Sequence, residues 1–378
     1  MAKLIKALDR DQTFKNNIQN PIKKSTISWF LLESSRQFDD YNINNYLSNK
    51  IKIKPKNIII ECETIKNTTN INNISELIKF INHCETITNI SYNINQKALI
   101  KIKDPLIKLE NMIGMNELKN DILDQILFYI QGLHENKGME YMHTILYGPP
   151  GTGKTEVAKI IGEIFANIGI LKNNTFKKVV RSDLIAGYLG QTAIKTSKVI
   201  EQSLGGVLFI DEAYSLGSLE KRDSFAKECI DTLCEALSNH KNNLMVIIAG
   251  YEDELETCFF SANSGLKSRF PWSFNISKYS SFELYQIFSK KIKEIDWKMD
   301  ESINSKFFEK YYKHFSYYGR DIEILLLKCK IAHSRRIFSN SENSRIITYD
   351  DLINGYKLFC KNNSRVKESP HEIFNMYN

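Results

Sequence analysis

The sequence predicts an α/β fold: a parallel sheet covered by helices on both faces and followed by a small all-helical region. Short apolar runs alternate with helical patterns between residues 143 and 250, which is typical of buried parallel strands. A glycine-rich loop directly follows the first run, as in a strand–loop–helix unit. Beyond residue 281 the apolar spacing is helical only. The predicted strands are HTILYG (143–148), FKKVVR (176–181), GVLFID (206–211) and LMVIIAG (244–250).

The 378 residues suffice for two or three domains, and the changes of pattern predict where these lie. Residues 1–100 form a Lys- and Asn-rich N-terminal appendage of unknown role, with strand-like alternation at 51–61 and helical spacing at 74–82. The α/β core occupies 108–276, a helical lid domain 277–362, and a flexible tail 363–378. The helix after the glycine loop is expected to end near Gly169.

The loop GPPGTGKT, residues 148–155, fits the phosphate-binding pattern G-x-x-x-x-G-K-[ST] in full. Its glycines permit a tight turn whose backbone N–H groups face phosphate oxygens, and the following helix adds its positive end. Lys154 is expected to bridge the β- and γ-phosphates, and the Thr155 hydroxyl to bind Mg²⁺. The predicted nucleotide-binding residues here are Gly148, Pro149, Pro150, Gly151, Thr152, Gly153, Lys154, Thr155 and Glu156.

An acidic pair follows the apolar run VLFI, at the sheet edge where ligands of such folds bind. Asp211 is expected to hold Mg²⁺ through water, and Glu212 to polarise the attacking water. A small-molecule kinase is disfavoured by such a glutamate, and NKGM at 136–139 lacks the aspartate of a guanine-reading N-K-x-D motif. The pair therefore favours a P-loop NTPase that hydrolyses ATP.

With these residues in place, the chain resembles the AAA+ ATPases, and within them the CbbX/CfxQ group, which includes the red-type Rubisco activases. The resemblance covers roughly residues 108–360 and is strongest over 145–275. The stretches GPPGTGKTEVAKIIG and GGVLFIDEAYSL are shared widely in the superfamily. The stretches that are more specific to the group are DLIAGYLGQTAIKT and AGYEDEL, and NSGLKSRF also matches.

The resemblance implies further roles. Ile113 and Gly114, in MIGM, match the loop that packs on the adenine. Arg269, after the last predicted core strand, matches the arginine finger that reaches a neighbouring subunit's γ-phosphate, and Arg320 matches the second sensor. Tyr188, Leu189 and Gly190 match the aromatic pore loop that grips a polypeptide. One departure concerns the first sensor: IIAGYEDEL has neither the Asn nor the Thr of many AAA proteins, which leaves Tyr251 or a backbone group.

These observations predict an ATP-driven protein remodeller with ATP and Mg²⁺ as cofactors, assembled as a homo-oligomeric, six-membered ring. The alternatives are a nucleic-acid-handling AAA+ protein such as a loader or helicase subunit, and a scaffold that binds ATP but scarcely hydrolyses it. The net charge of +7 permits nucleic-acid binding, although no DNA-reading motif is recognisable. Scattered cysteines and the absence of an 18-residue apolar run predict a soluble, intracellular protein without a membrane span, in a compartment the sequence does not identify.

Overall fold

Five parallel strands form the central sheet of the computed structural model, which describes residues 71–86, 94–134, 140–188, 190–217, 223–338 and 345–362. Their order in the sheet is β2-β3-β4-β1-β5, and β1 pairs with both β4 and β5. The parallel α/β fold predicted from the sequence is confirmed. The strands are β1 (Thr144–Tyr147), β2 (Phe176–Val179), β3 (Val207–Ile210), β4 (Met245–Gly250) and β5 (Trp272–Asn275).

Strand β5 was not predicted, because its sequence lacks an apolar run. Within it Phe274 is buried, whereas Ser273 and Asn275 are exposed. Arg269 precedes β5 in the chain, so the expectation that Arg269 follows the last core strand is wrong. A strand at the sheet edge needs apolar residues on only one side, and the sequence pattern is correspondingly weak.

The three central strands of the sheet are buried on both faces, which explains why β1, β3 and β4 read as continuous apolar runs. Successive residues of β3 alternate between two apolar clusters: Val207 and Phe209 belong to one, Leu208 and Ile210 to the other. Helices cover both faces. They are α4 (Asn116–Ile130), α5 (Lys154–Ile168), α6 (Arg181–Leu184), α7 (Thr192–Glu201) and α8 (Ser224–Asn239).

Local signals fix the ends of these helices. Helix α8 begins after Asp223, whose carboxylate accepts a hydrogen bond from the Ala226 N–H at 3.0 Å. Helix α5 ends at Gly169, whose φ of 94° is the left-handed conformation of a helix C-cap. The predicted end of that helix is therefore confirmed.

Within the part of the chain that the structure describes, three helices precede the core: α1 (Ile74–Thr86), α2 (Gln96–Lys101) and α3 (Lys103–Glu110). The predicted end of the N-terminal appendage, residue 100, falls inside α2. These helices pack on the core, since Asn167 of α5 donates to the Lys101 carbonyl at 3.0 Å and Lys108 pairs with Glu163 at 2.9 Å. The strand expected at 51–61 and the tail 363–378 lie outside the described residues.

The region after β5 is mainly helical: α9 (Ser281–Glu294), α10 (Ser305–Lys310), α11 (Tyr318–Ile337) and α12 (Tyr349–Asn362). Ser280 and Glu283 form a capping box at the start of α9, in which each backbone N–H is bonded by the other side chain. The expectation of helices only is wrong in one detail: β6 (Lys298–Met299) and β7 (Ile346–Ile347) form a two-stranded parallel sheet. Strands of two residues leave no readable period in a sequence.

A buried carboxylate joins α11 to α12. The Asp351 side chain, 2% exposed, contacts His333 at 3.1 Å and Arg336 at 2.9 Å. Burial alone would raise the pKa of Asp351, but bonds from Arg336, the Thr348 N–H and His333 lower it to about 2. The carboxylate therefore stays ionised and holds the two helices together. None of the described helices has the length and apolar character needed to cross a membrane.

Candidate nucleotide site

The glycine loop lies between β1 and α5, at the carboxyl edge of the sheet. Gly148, Gly151 and Gly153 all have positive φ, at 152°, 78° and 94°. Residues with a side chain rarely adopt this conformation, so the loop depends on glycine to turn. The Gly148 N–H donates to the carbonyl of Gly250 at 3.1 Å, which fixes the loop to the end of β4.

Helix α5 starts at Lys154 with no side-chain cap. Its leading N–H groups therefore remain available to an anion, and the helix dipole favours negative charge there. The Lys154 ammonium folds back over the loop and donates to the Gly148 carbonyl at 2.7 Å and the Pro149 carbonyl at 2.9 Å. Thr155, the next residue, is half-buried in the first turn of the same helix.

The acidic pair follows β3 at the same edge. The Asp211 N–H donates to the Val179 carbonyl at 3.0 Å, so β2 and β3 stay paired up to this residue. Glu212 adopts a left-handed φ of 53° and has an exposed side chain. That turn directs the chain away from the sheet into a short 3₁₀ helix, Ala213–Leu216.

Charges of both signs meet around Lys154. Burial lowers the pKa of Lys154, the carboxylates of Asp211 and Glu212 act to raise it, and the Arg320 guanidinium lowers it. These interactions place Asp211, Glu212 and Arg320 each within electrostatic range of Lys154. The structure thus brings together Lys154, Asp211, Glu212 and Arg320, which the sequence places far apart.

Tyr251, the first residue after β4, lies beside this group. The Lys154 Nζ is 5.9 Å from the centre of its ring, and the ring of Tyr214 is 6.1 Å away on another side. Burial raises the pKa of Tyr251, with further contributions from Glu254, Tyr317 and Glu212. The first-sensor role stays open between Tyr251 and a backbone group.

The start of α11 contacts the glycine loop directly. The Gly319 N–H donates to the Gly151 carbonyl at 3.0 Å, and the Tyr279 hydroxyl donates to the Thr152 carbonyl at 3.1 Å. A Cβ added at Gly151 would lie 2.0 Å from the Tyr317 carbonyl oxygen. Arg320, in the first turn of α11, is therefore carried to the loop by backbone packing.

The segment that contains Ile113 and Gly114 borders the loop on another side. A Cβ added at Gly153 would contact Met112 at 3.4 Å and Met115 at 3.5 Å. Gly114 has a φ of 67°, and a Cβ there would lie 2.1 Å from the Glu283 carboxylate. The Met112–Met115 segment is thus held between the loop and α9. Its role toward adenine stays a prediction.

Arg269 lies at the opposite edge of the sheet. Its Nε donates to the Ser238 hydroxyl at 2.8 Å and its Nη1 donates to the Gly265 carbonyl. The guanidinium also acts on buried His143, the residue before β1, whose pKa burial lowers to about 4. Strands β1 and β5 run parallel, Arg269 lies before β5, and the loop follows β1. The length of one strand therefore separates Arg269 from the loop of its own chain.

Tyr188 projects from the loop between α6 and α7, with 75% of its surface exposed. The base of this loop is anchored, because the Thr196 hydroxyl donates to the Leu184 carbonyl at 3.1 Å and the Ala186 N–H to the Thr192 hydroxyl at 3.2 Å. Gly190 has a φ of 76°. Leu189, the third predicted pore-loop residue, lies outside the described residues.

Two basic residues of the site were not predicted. Lys178 pairs with Asp211 at 2.6 Å, and Arg181 donates to the Ser215 carbonyl and to the Asp223 carboxylate. Both belong to the run FKKVVR, which was interpreted only as a strand. The signal that was missed is the three cations of this run, two on the strand that neighbours the acidic pair and one at the start of the helix that follows.

The residues present fit a nucleotide with Mg²⁺. The loop glycines permit the positive-φ turn of a phosphate-binding loop, the helix end provides N–H donors, and a hydroxyl and a carboxylate offer the oxygen ligands that Mg²⁺ prefers. The fold and this site together define a P-loop nucleoside triphosphatase whose loop is contacted by a helical region.

Comparisons with known proteins identify the family. The model of the ATPase family associated with various cellular activities (AAA) matches residues 144–271. A putative CfxQ-like protein of Acanthamoeba polyphaga mimivirus is 39% identical over 312 residues, which cover 81% of this chain and 75% of that protein. The CfxQ homolog of Galdieria sulphuraria is 32% identical over 285 residues, which cover 69% and 91%. The chain belongs to the AAA family of ATPases and, within it, to the CfxQ-like proteins.

A solved structure supports the fold. The crystal structure of the FIGL-1 AAA domain in complex with ADP matches with a TM-score of 0.50 at 18% identity, over 71% of this chain and 87% of that chain. At this identity the likeness concerns the fold alone.

Proposed function

We propose that this protein hydrolyses ATP and uses the energy to pull on a polypeptide through the loop that carries Tyr188. The observation that supports this most directly is the meeting of Lys154, Asp211, Glu212 and Arg320 at one sheet edge. A cation for phosphate, a carboxylate for metal and a second carboxylate for water are the groups that ATP hydrolysis requires.

Each of these side chains has a proposed part. Lys154 leaves the loop carbonyls and binds the β- and γ-phosphates, while Glu212 orients a water molecule. Thr155 would hold Mg²⁺ directly and Asp211 would hold it through water, and the bound metal would supply positive charge to the phosphates. Arg320, as the second sensor, interacts with the phosphates, so that a change of the bound nucleotide moves α11, the helix to which Arg320 belongs. Ile113 and Gly114 border the adenine. The lid boundary proposed at residue 277 follows the end of β5.

The position of Arg269 supports assembly into a ring. Its guanidinium lies at the amino edge of the sheet, whereas the loop of the same chain lies at the carboxyl edge. A second copy in head-to-tail contact can present Arg269 to this chain's γ-phosphate. We propose a homo-hexamer in which ATP is held between neighbouring copies.

Arg181 provides a physical connection from the acidic pair to Tyr188. Its guanidinium is bonded to the Ser215 carbonyl, in the 3₁₀ helix that follows Glu212. Arg181 itself begins α6, and the loop with Tyr188 follows α6 directly. A shift of the chain after Glu212 is thereby passed to the base of that loop. An aromatic tip grips a polypeptide without sequence preference.

The test combines a probe polypeptide with two variants. Unstructured casein is expected to stimulate ATP hydrolysis by the wild-type protein. Tyr188→Ala should keep the basal rate and lose the stimulation, and Tyr349→Ala, which changes a 43% exposed tyrosine on α12, should behave as wild type. Glu212→Gln should bind ATP without turning it over.

Other outcomes would favour the alternatives. Stimulation by single-stranded DNA instead of casein, with a steep salt dependence, would support nucleic-acid handling. ATP binding without measurable phosphate release under any condition would support a scaffold and would refute the proposed motor.

A further inference from the structure

Lys178 and Asp211 form an ion pair beside the glycine loop. The Lys178 Nζ is 2.6 Å from the Asp211 Oδ2, with 46% and 23% of the two side chains exposed. Lys178 lies on β2 in register with Phe209 of β3. Its ammonium is 5.8 Å from the centre of the Phe209 ring, so the aliphatic part of the lysine runs along β3 toward the carboxyl edge.

The pair matters because of what Asp211 has to bind. The proposed function requires this carboxylate to bind Mg²⁺, but its Oδ2 already forms an ion pair with the Lys178 ammonium. Two cations held at one carboxylate repel each other, so the presence of either one weakens the binding of the other. Mg²⁺ therefore has to compete with a cation that belongs to the protein.

We propose that Lys178 is the internal counter-ion of Asp211, which the divalent cation must displace, and that it thereby sets how tightly the site holds metal. This inference rests on the proposed function, because it requires Asp211 to be the metal-binding carboxylate. Lys178 touches neither nucleotide nor water in this account, so it is a positioning residue. In the metal-free protein it also offsets the repulsion between Asp211 and Glu212.

The neighbouring lysine provides a matched control. Lys177 precedes Lys178 on β2, and side chains of successive strand residues point to opposite faces. The Lys177 ammonium donates to the Gln202 side chain instead of an acid. Lys177→Met and Lys178→Met remove the same charge from adjacent positions, and only Lys178→Met releases Asp211.

The experiment measures metal binding directly. Mn²⁺ serves as the probe, and free Mn²⁺ is followed by electron paramagnetic resonance during titration of the full-length protein with saturating ADP, with ADP alone subtracted. Partly exposed ion pairs are weak, so Lys178→Met should tighten Mn²⁺ binding roughly two- to fivefold. Lys178→Arg, which keeps the charge, should lie near wild type, as should Lys177→Met. Thermal melting establishes that each variant is folded.

The outcomes separate this inference from the function on which it rests. Unchanged or weaker Mn²⁺ binding by Lys178→Met would overturn it, and so would equal tightening by Lys177→Met, because general charge would then suffice. Asp211→Asn tests the metal site itself. If Asp211→Asn binds Mn²⁺ as wild type does, the proposed metal site fails; if it loses binding while Lys178→Met is unchanged, only the counter-ion role fails.

Discussion

Two inactive variants should restore activity to each other if Arg269 acts on a neighbouring copy. Lys154→Ala removes the phosphate-binding ammonium and keeps the finger, and Arg269→Ala does the reverse. The structure gives the geometric reason: the loop begins at one end of β1 and Arg269 lies near His143 at the other. Four strand residues span about 13 Å, so the guanidinium does not reach the loop of its own chain.

The expected magnitude follows from the ring. Arg269→Ala alone should lose about 10³-fold or more in turnover, as removal of arginine fingers does elsewhere. Lys154→Ala alone should be inactive because it lacks the phosphate-binding ammonium. In a head-to-tail ring assembled at random from equal amounts, roughly a quarter of the interfaces join an intact finger to an intact loop. The mixture should therefore recover up to about a quarter of the wild-type rate per subunit.

The assay is steady-state phosphate release from co-expressed variants, purified through a tag on each chain so that only mixed assemblies are measured. Mixtures of each variant with wild type provide the reference for partial activity. A mixed assembly as inactive as the separate variants would refute action in trans. Full activity of Arg269→Ala alone would remove the finger assignment.

Three further predictions concern other parts of the site and the fold. Gly151→Ala should weaken ADP binding in calorimetry, because its Cβ would lie 2.0 Å from the Tyr317 oxygen. Gly169→Ala is the control: Gly169 also has a positive φ, of 94°, but an added Cβ would have nothing within 4 Å, so this variant should show only a strain of about 1–2 kcal/mol. Asp351→Asn should lower stability at neutral pH by about 2 kcal/mol, or roughly 5 °C in melting temperature. Because the pKa of Asp351 is lowered, its contribution is present above about pH 4 and is lost as the pH falls toward 2, so the difference between Asp351→Asn and wild type should shrink over that range; a constant difference would refute the ionic role. Arg181→Gln should keep basal ATP hydrolysis and lose most of the stimulation by casein, and retained stimulation would exclude Arg181 as the connection.

The sequence predicted those parts of the fold that repeat a local pattern. Strands β1, β3 and β4 were readable because burial on both faces demands an unbroken apolar run, as in VLFI. Strand β5 was not, because residues such as Ser273 and Asn275 face outward. The pair β6 and β7 was also missed, since it consists of two residues on each side.

In the nucleotide site, too, the residues that belong to a local motif were predictable and the contacts between distant residues were not. The motif placed Lys154 and Asp211 by their types and spacing, but Lys178 contacts Asp211 only because β2 and β3 are in register. Likewise, the bond between Gly319 and Gly151 joins residues that are distant in the chain. Contacts of this kind follow from tertiary packing, which leaves no local pattern to read.

The apolar cluster on one face of the sheet has a practical consequence for anyone shortening the gene. It continues from Ile74 in α1 through Ile164 in α5 to Phe288 and Phe359 beyond β5. A fragment limited to residues 108–276 would carry the sheet but lack the cluster residues that come before and after it. The apolar side chains that these residues cover would then be exposed to solvent, which favours aggregation. The smallest fragment that we expect not to aggregate starts near residue 71 and ends near residue 362.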